Sequence, residues 1–305
     1  MLSTLNHDTM RITFDYMHVG DLLAFKGTSR DADCIVAEYL SGKLRSLLAC
    51  YLAKPVHFRN LMRITNSIIS GSAALEYILP RYNTWHADDL DIYVPHNMFN
   101  RVVSYLVLFA HYKPVFPQDM QTHYNGGIMQ VVRLKNGNLQ IDVIQSASMS
   151  ALHPTTLFWN TALTNGISAD GVYCAYPQLM LNMCGLISPC NLIGHHVPDE
   201  CTVDLIVKYT MRGFDIRVRE PLWSHKSVNT LLPLGAPGPA CAYTVRIFGD
   251  HMGIYTSLYP YSTHTIDIIA RQSIIVMWRR GGSHCAHGCN TPPREDDTFA
   301  EVIAV

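Results

Sequence analysis

The sequence predicts an α/β protein of the α+β class, in which helices flank a mixed sheet and the C-terminal region completes a cleft. A β-branched run at residues 64–70 stops at a Gly-Ser step and continues into a short helical pattern, which predicts strand, tight turn and helix. A second strand is predicted at residues 89–94, where acids and a tyrosine alternate with aliphatic residues. Two further apolar runs, 128–135 and 139–146, flank Asn-Gly-Asn and predict a β-hairpin.

The chain divides into four predicted parts. Residues 1–62 carry apolar residues at helical spacing and predict a helical N-terminal element. Residues 63–150 contain the predicted strands, residues 151–280 mix helical and extended runs, and residues 281–305 predict an irregular tail.

The Gly-Ser step predicts a place for phosphate. Gly71 and Ser72 follow the first strand, and residues 73–79 form a helical pattern that Pro80 closes. Backbone N–H groups at the start of such a helix, helped by the Ser72 hydroxyl and the positive end of the helix dipole, are suited to an anion.

Three aspartates are predicted to share one face of the sheet. Asp89, Asp91 and Tyr93 lie on one side of their strand because side chains alternate with a period of two. On the second hairpin strand, Gln140 and Asp142 lie opposite the aliphatic residues. Each strand is therefore expected to bury its aliphatic side chains and to expose its acids.

Three neighbouring carboxylates predict a metal site. Two carboxylates about 4 Å apart repel by roughly 4 kcal/mol at an effective dielectric constant near 20, and a third adds to the repulsion. Without a cation one of them would have to hold a proton. Oxygen ligands on a rigid strand pair favour Mg²⁺ or Mn²⁺ over zinc, and the chemistry that such a site predicts is two-metal displacement at phosphorus.

These motifs resemble the signature of the DNA polymerase β-like nucleotidyltransferase superfamily, over roughly residues 63–146. The resemblance implies that Gly71 and Ser72 bind triphosphate, that Asp89 and Asp91 bind both metals, and that Asp142 binds the catalytic metal. It also implies transfer of a nucleotidyl group from a nucleoside triphosphate to a hydroxyl-type acceptor, which could be a small molecule, a protein side chain or an RNA end.

A finer resemblance is to a group of fungal, mainly basidiomycete, proteins. It is carried by Ile-Ser-Gly-Ser-Ala-Ala-Leu at residues 69–75 and Asp-Leu-Asp-Ile-Tyr-Val-Pro at residues 89–95. This resemblance implies a lineage and no particular reaction.

The sequence gives a weaker indication of which basic residues bind the triphosphate than of which acids bind metal. Many relatives carry a basic residue soon after the Gly-Ser step, whereas residues 73–80 contain none and Arg81 is the first candidate. Lys208 and Arg212, one helical turn apart, are the other candidates, with complementation of the helix dipole as the alternative role.

Composition limits the class of partner and the compartment. The chain has 305 residues with 48% hydrophobic residues, and 23 Lys and Arg nearly balance 24 Asp and Glu. The resemblance implies a nucleoside triphosphate and an acceptor as partners, and the balanced charge does not favour nucleic acid. No membrane partner is expected, because no apolar segment is long enough to span a bilayer. The N-terminus lacks a basic start followed by an apolar stretch, and nine irregularly spaced cysteines predict no disulfide framework, so a cytoplasmic or nuclear location is expected.

Two other interpretations stay open at the level of sequence. Residues 21–51 weakly resemble the middle of an F-box, so the alternative to an enzyme is an adaptor or a pseudoenzyme that retains nucleotide binding. His284, Cys285, His287 and Cys289 could bind zinc, but a cluster this short and without a second pair favours an exposed, oxidisable tail.

Overall fold

The computed structural model describes residues 7–81, 85–115, 126–193, 197–218, 240–242, 244–261, 274–281 and 299–304. Within these ranges the chain is a mixed α+β structure, as the sequence predicts. Its described α-helices are α1 (His7–Asp15), α2 (Val19–Lys26), α3 (Arg30–Tyr51), α4 (Pro55–Thr65), α5 (Gly71–Ile78), α6 (Phe99–Leu108), α7 (Pro177–Met180) and α8 (Glu200–Met211). None of them combines the length and the apolar character needed to cross a bilayer.

The predicted N-terminal helical element consists of α1 to α4. The longest helix, α3, begins where the Ser29 side chain accepts a hydrogen bond from the Ala32 N–H at 3.1 Å. Its apolar residues recur at helical spacing and form one buried face, which includes Leu40, Leu44 and Leu48. That face belongs to the same hydrophobic core as the central strands, so the helices form a layer on one side of the sheet.

The end of α4 corrects one sequence prediction. Ile64 and Thr65 were expected to begin the first strand, but they complete α4, which ends at Asn66 in the left-handed conformation with φ of 49°. Thr65 is fully buried, and its hydroxyl donates a hydrogen bond to the Leu61 carbonyl at 2.8 Å. Burial and this bond outweigh the weak helix propensity of a β-branched residue.

Most strands belong to one mixed sheet of eight, with the order β13-β7-β6-β1-β2-β5-β4-β3. Its strands in chain order are β1 (Ile68–Ser70), β2 (Leu90–Val94), β3 (Lys113–Val115), β4 (Ile128–Asn136), β5 (Leu139–Ser146), β6 (Asn165–Ile167), β7 (Gly171–Cys174) and β13 (Ile254–Ser257). The strands of the smaller sheets are β8 (Cys184–Leu186), β9 (Leu192–Ile193), β10 (Val197–Pro198), β11 (Asp215–Arg217), β12 (Arg246–Ile247), β14 (Ile274–Arg279) and β15 (Phe299–Ala304). These pair as β10-β9, β11-β8 and β12-β14-β15.

The centre of the large sheet carries a parallel pairing. β2 runs parallel to β5, while β1 pairs with β2, and β4 with β5, in the antiparallel sense. The β4-β5 pair is the predicted hairpin, closed at Asn136 and Leu139, with Gly137 at a φ of 58° as the turn requires.

The two faces of the central strands are covered by different cores. Ile92 on β2 and Val143 on β5 belong to the core shared with the N-terminal helices. On the opposite face, Tyr93 and Ile144 belong to a second core with Trp278 and other C-terminal residues. The acids discussed below lie on this second face.

Some sequence features lie outside the described residues: the turn-rich loop at 232–239 and the His-Cys cluster at 284–289. The cysteines of the described ranges are free thiols.

Candidate functional site

A row of polar residues crosses the centre of the sheet. Strand pairing sets Ser70 beside Asp91, Asp91 beside Asp142, and Asp142 beside Arg133. Tyr93 and Ile144 occupy the neighbouring row on the same face, because side chains two residues apart share a face. The acidic residues therefore lie directly beside the second core on this face of the sheet.

The predicted acids meet. One carboxylate oxygen from each of Asp89, Asp91 and Asp142 lies within 4.8 Å of the others, which is close enough for a shared cation. Asp89 and Asp91 are half-buried, whereas Asp142 is only 6% exposed. The expectation that both strands expose their acids is thus wrong for Asp142.

Crowding and burial change the proton affinity of the cluster. Burial raises the pKa of Asp91 well above its ordinary value, and the negative charges of Asp89 and Asp142 raise it further. The pKa of Asp89 is raised by burial and then by the Asp142 charge, while Lys208 acts in the opposite direction on both. The cluster consequently favours a bound proton or a cation.

Arg133 is a site residue that the sequence-based predictions missed. Its Nη2 and Nε donate to Asp142 Oδ2 at 2.9 and 3.2 Å, and Nε also lies 3.1 Å from Oδ1. Gln140 Nε2 donates to Asp142 Oδ1 at 3.2 Å and to Asp89 Oδ2 at 3.4 Å. The hairpin register contained the signal for Arg133, because a turn closed at Asn136 and Leu139 pairs residue 133 with residue 142.

The segment that carries Asp89 is held by the helical layer. Glu76 of α5 accepts a hydrogen bond from the Ala87 N–H at 2.7 Å and contacts His86 Nδ1 at 2.6 Å. The Tyr51 hydroxyl of α3 donates to the Ala87 carbonyl at 3.3 Å. Residues 86–87 are therefore fixed just before the acidic strand.

The Gly-Ser step lies against the acids. Gly71 is the first residue of α5 and has a φ of 67°, and a β-carbon at this position would collide with Asp91 Oδ2. Ser70 does not cap the helix, because its hydroxyl donates to the Asn165 carbonyl on β6. The first N–H groups of α5 thus have no side-chain cap from Ser70, and Ser72 is buried in the first turn.

The three candidate cations form ion pairs in different parts of the structure. Lys208 and Arg212, at the end of α8, lie 3.6 and 3.8 Å from Asp88 Oδ2, next to the acidic strand. Arg81 instead forms an ion pair with Asp15 of α1 at 3.1 Å and is 76% exposed. In this structure Arg81 thus pairs with the N-terminal helices, and its expected role as a triphosphate ligand stays a prediction.

Arg212 has an unusual environment. Its side chain is only 7% exposed and lies between the rings of Trp85 and Tyr209, at 4.3 and 5.0 Å from their centroids. Its Nη1 is buried and has no hydrogen-bond partner among the described residues. Asp88, its nearest acid, is 77% exposed and so can be displaced without desolvating another buried charge.

Comparison with protein-family models, curated proteins and solved structures finds no match to this chain. The assignment of a function therefore depends on the residues and their geometry.

Gly71→Ala tests the contact between the Gly-Ser step and Asp91, with Gly137→Ala as a matched control. Both glycines have positive φ, of 67° and 58°, but a β-carbon at Gly137 meets nothing within 4 Å. We expect Gly137→Ala to lower the free energy of unfolding by about 1–2 kcal/mol and Gly71→Ala to cost about 1–3 kcal/mol more. Urea denaturation measures the free energy of unfolding of the two variants, and Mn²⁺ titration measures their metal affinity. Equal losses of stability together with equal metal affinities would refute the contact between Gly71 and Asp91.

Asp91→Asn tests the electrostatic strain in the metal-free protein. The raised pKa means that ionisation of Asp91 opposes folding. The penalty is absent below the unfolded-state pKa of about 3.9, where both states hold the proton, grows as the pH rises above that value, and is complete once the pH exceeds the raised pKa of the folded state. We expect the substitution to raise the free energy of unfolding by roughly 1 kcal/mol at pH 8, a Tm increase of a few degrees, with little change near pH 3. Thermal denaturation in chelator measures this, and a lower Tm at pH 8 would contradict it.

Proposed function

We propose that the protein is a metal-dependent nucleotidyltransferase, which moves a nucleotidyl group from a nucleoside triphosphate to a hydroxyl-type acceptor. The single observation that carries the proposal is the cluster of Asp89, Asp91 and Asp142 at the start of α5, with all three within 4.8 Å. A polymerase β-like arrangement of the central strands is part of the same proposal.

The donor set suits Mg²⁺ or Mn²⁺. It consists of carboxylate oxygens on two adjacent strands, and burial together with the neighbouring negative charges raises the pKa of Asp91 and Asp89. We assign Asp89 and Asp91 to both metals and Asp142 to the catalytic metal. When bound, the metals would neutralise phosphate charge and activate the attacking oxygen.

Asp142 can take this role if a metal replaces one of its present hydrogen bonds. A carboxylate offers about four lone-pair positions, and Arg133 and Gln140 make four hydrogen bonds to them, of which the two longer Arg133 bonds share the single Nε–H donor. Arg133 therefore orients Asp142 and lowers the repulsion that Asp91 experiences from it.

The triphosphate is expected between the start of α5 and the end of α8. The N–H groups at the start of α5 receive no capping hydrogen bond from the Ser70 side chain, and we assign those of Gly71 and Ser72 to the anion, which the helix dipole also attracts. Lys208 and Arg212 supply positive charge, and Arg212 Nη1 is a donor without a partner among the described residues. A phosphate oxygen can replace the exposed Asp88 as their common partner.

The chemistry then needs an acceptor oxygen in line with the α-phosphorus. The new O–P bond forms as the bond to the bridging oxygen breaks and pyrophosphate leaves, and we assign the proton of the acceptor hydroxyl to Asp142. With a formal net charge of −1 for the chain, a small molecule or a protein side chain is the preferred acceptor over an RNA end.

A nucleotide-binding pseudoenzyme is the second candidate. The observation that favours it is the buried Asp142, whose two oxygens both contact Arg133. If Arg133 held Asp142 permanently, the protein would bind a nucleotide and one metal without transferring a nucleotidyl group.

Transfer activity separates the two candidates. We expect the protein, incubated with each labelled nucleoside triphosphate, Mn²⁺ or Mg²⁺ and cell extract, to yield a labelled product. Asp89→Asn and Asp91→Asn should lower the rate by about a hundredfold or more, because each removes a negative ligand at constant shape. Asp31→Asn, an exposed acid at the start of α3, is the control and should keep full activity. Metal-dependent nucleotide binding without any transfer would establish the pseudoenzyme.

Arg212→Met tests the phosphate ligand. Loss of a charge-assisted hydrogen bond should weaken triphosphate binding by roughly ten- to a hundredfold while the Mn²⁺ affinity measured without nucleotide stays the same. Arg101→Met removes an exposed arginine on α6 and serves as the control. Calorimetric titration with a non-hydrolysable triphosphate measures the difference, and equal affinities for the two variants would contradict the assignment.

A further inference from the structure

A cavity of about 730 Å³ lies between α1, α3 and α5. It is lined by one face of α3 together with residues from the other two helices and from the segment that carries Trp85. This volume falls in the range of sites that take small organic molecules.

Aromatic side chains give the cavity its apolar character. Phe14 of α1, Tyr39 of α3, Tyr77 of α5 and Trp85 all line it, and Phe14 and Tyr77 are buried in the core. Trp85 also keeps its indole Nε1–H without a hydrogen-bond partner among the described residues. A ring-shaped ligand that carries a hydrogen-bond acceptor would suit these walls.

Lys43 places a positive charge within the cavity. Its Nζ lies 3.5 Å from the Leu79 carbonyl and 5.3 Å from the centroid of the Tyr77 ring, and no carboxylate of the described residues lies within 4.0 Å of it. Burial lowers the pKa of Lys43 to about 8, so the amine still carries its proton in most molecules at pH 7. An ammonium has three donors, and with the described residues this one makes a single long hydrogen bond.

The acids nearest to Lys43 are committed to other partners. Asp15 accepts hydrogen bonds from the Tyr39 hydroxyl at 2.9 Å and from Arg81 at 3.1 Å. Glu76 is bonded to His86 and to the Ala87 N–H. Lys43 is thus a charge of this cavity for which a ligand can supply the partner, and Arg11, Arg45 and Glu38 also line the cavity.

From this arrangement we propose that the cavity is a second ligand site, distinct from the aspartate cluster, and that it binds an aromatic organic anion. The ring system of the ligand packs among the aromatic walls, and its carboxylate or sulfonate accepts hydrogen bonds from Lys43. This site does not depend on nucleotidyl transfer, although Trp85 forms a wall of the cavity and also packs against Arg212.

The test uses two probes with matched ring systems. 1-Anilinonaphthalene-8-sulfonate carries the anion, and N-phenyl-1-naphthylamine has the same rings without it. We expect saturable binding of the sulfonate to the full chain by fluorescence. Lys43→Met should weaken this binding by roughly ten- to a hundredfold and leave the neutral probe unaffected. Arg101→Met, which removes an exposed arginine of α6 that does not line the cavity, should change neither affinity by more than about twofold.

A second variant blocks the cavity without removing charge. Gly42 lines the cavity and lies within α3, and a β-carbon added there would meet nothing within 4 Å, so Gly42→Leu fills space and raises helix propensity. We expect it to abolish binding of both probes while the Tm is kept or raised. Unchanged sulfonate binding in Lys43→Met or in Gly42→Leu, or absence of saturable binding to the parent protein, would overturn the proposal.

Discussion

The parallel pairing of β2 with β5 forces Asp91 and Asp142 to stand side by side, with Asp89 two residues away on the same face. Two such charges about 4 Å apart repel by roughly 4 kcal/mol at an effective dielectric constant near 20. The chain resists this repulsion because both strands are anchored by aliphatic residues such as Ile92 and Val143 in the helix-covered core. The other residues of the site surround these crowded carboxylates and neutralise part of their charge.

Compensation comes from two sides of the cluster. On one side, Arg133 holds Asp142 in a bidentate ion pair from the neighbouring hairpin strand. On the other, the positive charge of Lys208, at the end of α8, offsets part of the rise in the pKa of Asp89 and Asp91. Neither cation removes the raised pKa of Asp91, so the cluster favours a bound proton or, in the proposed function, a divalent ion. Gly71, at the N-terminus of α5, lies against Asp91. A phosphate group that accompanies a metal ion at the aspartates can bind at this helix N-terminus.

Local patterns were enough to predict the central strands and the meeting of the acids. The alternation at residues 89–94 fixed which side chains share a face, and the Asn-Gly turn fixed the hairpin. Arg133 was missed because Asn136-Gly137-Asn138 predicts a hairpin without setting its register, and Arg133 pairs with Asp142 only when Asn136 pairs with Leu139. The strand assignment of Ile64 and Thr65 was wrong because α4 continues to Thr65, whose burial and hydrogen bond to the Leu61 carbonyl outweigh its β propensity. The partner of Arg81 could not be predicted, since α1 meets residue 81 only through the tertiary fold.

The most direct measurement is anomalous scattering from crystals of the protein grown with Mn²⁺ and a non-hydrolysable nucleoside triphosphate. The proposed function predicts manganese peaks within about 2.0–2.3 Å of oxygens of Asp89 and Asp91, at least one of them shared with Asp142. It also predicts density for the triphosphate between the start of α5 and Arg212. A map with nucleotide bound elsewhere, or with no manganese at the three aspartates while Arg133 and Asp142 stay paired, would contradict the account.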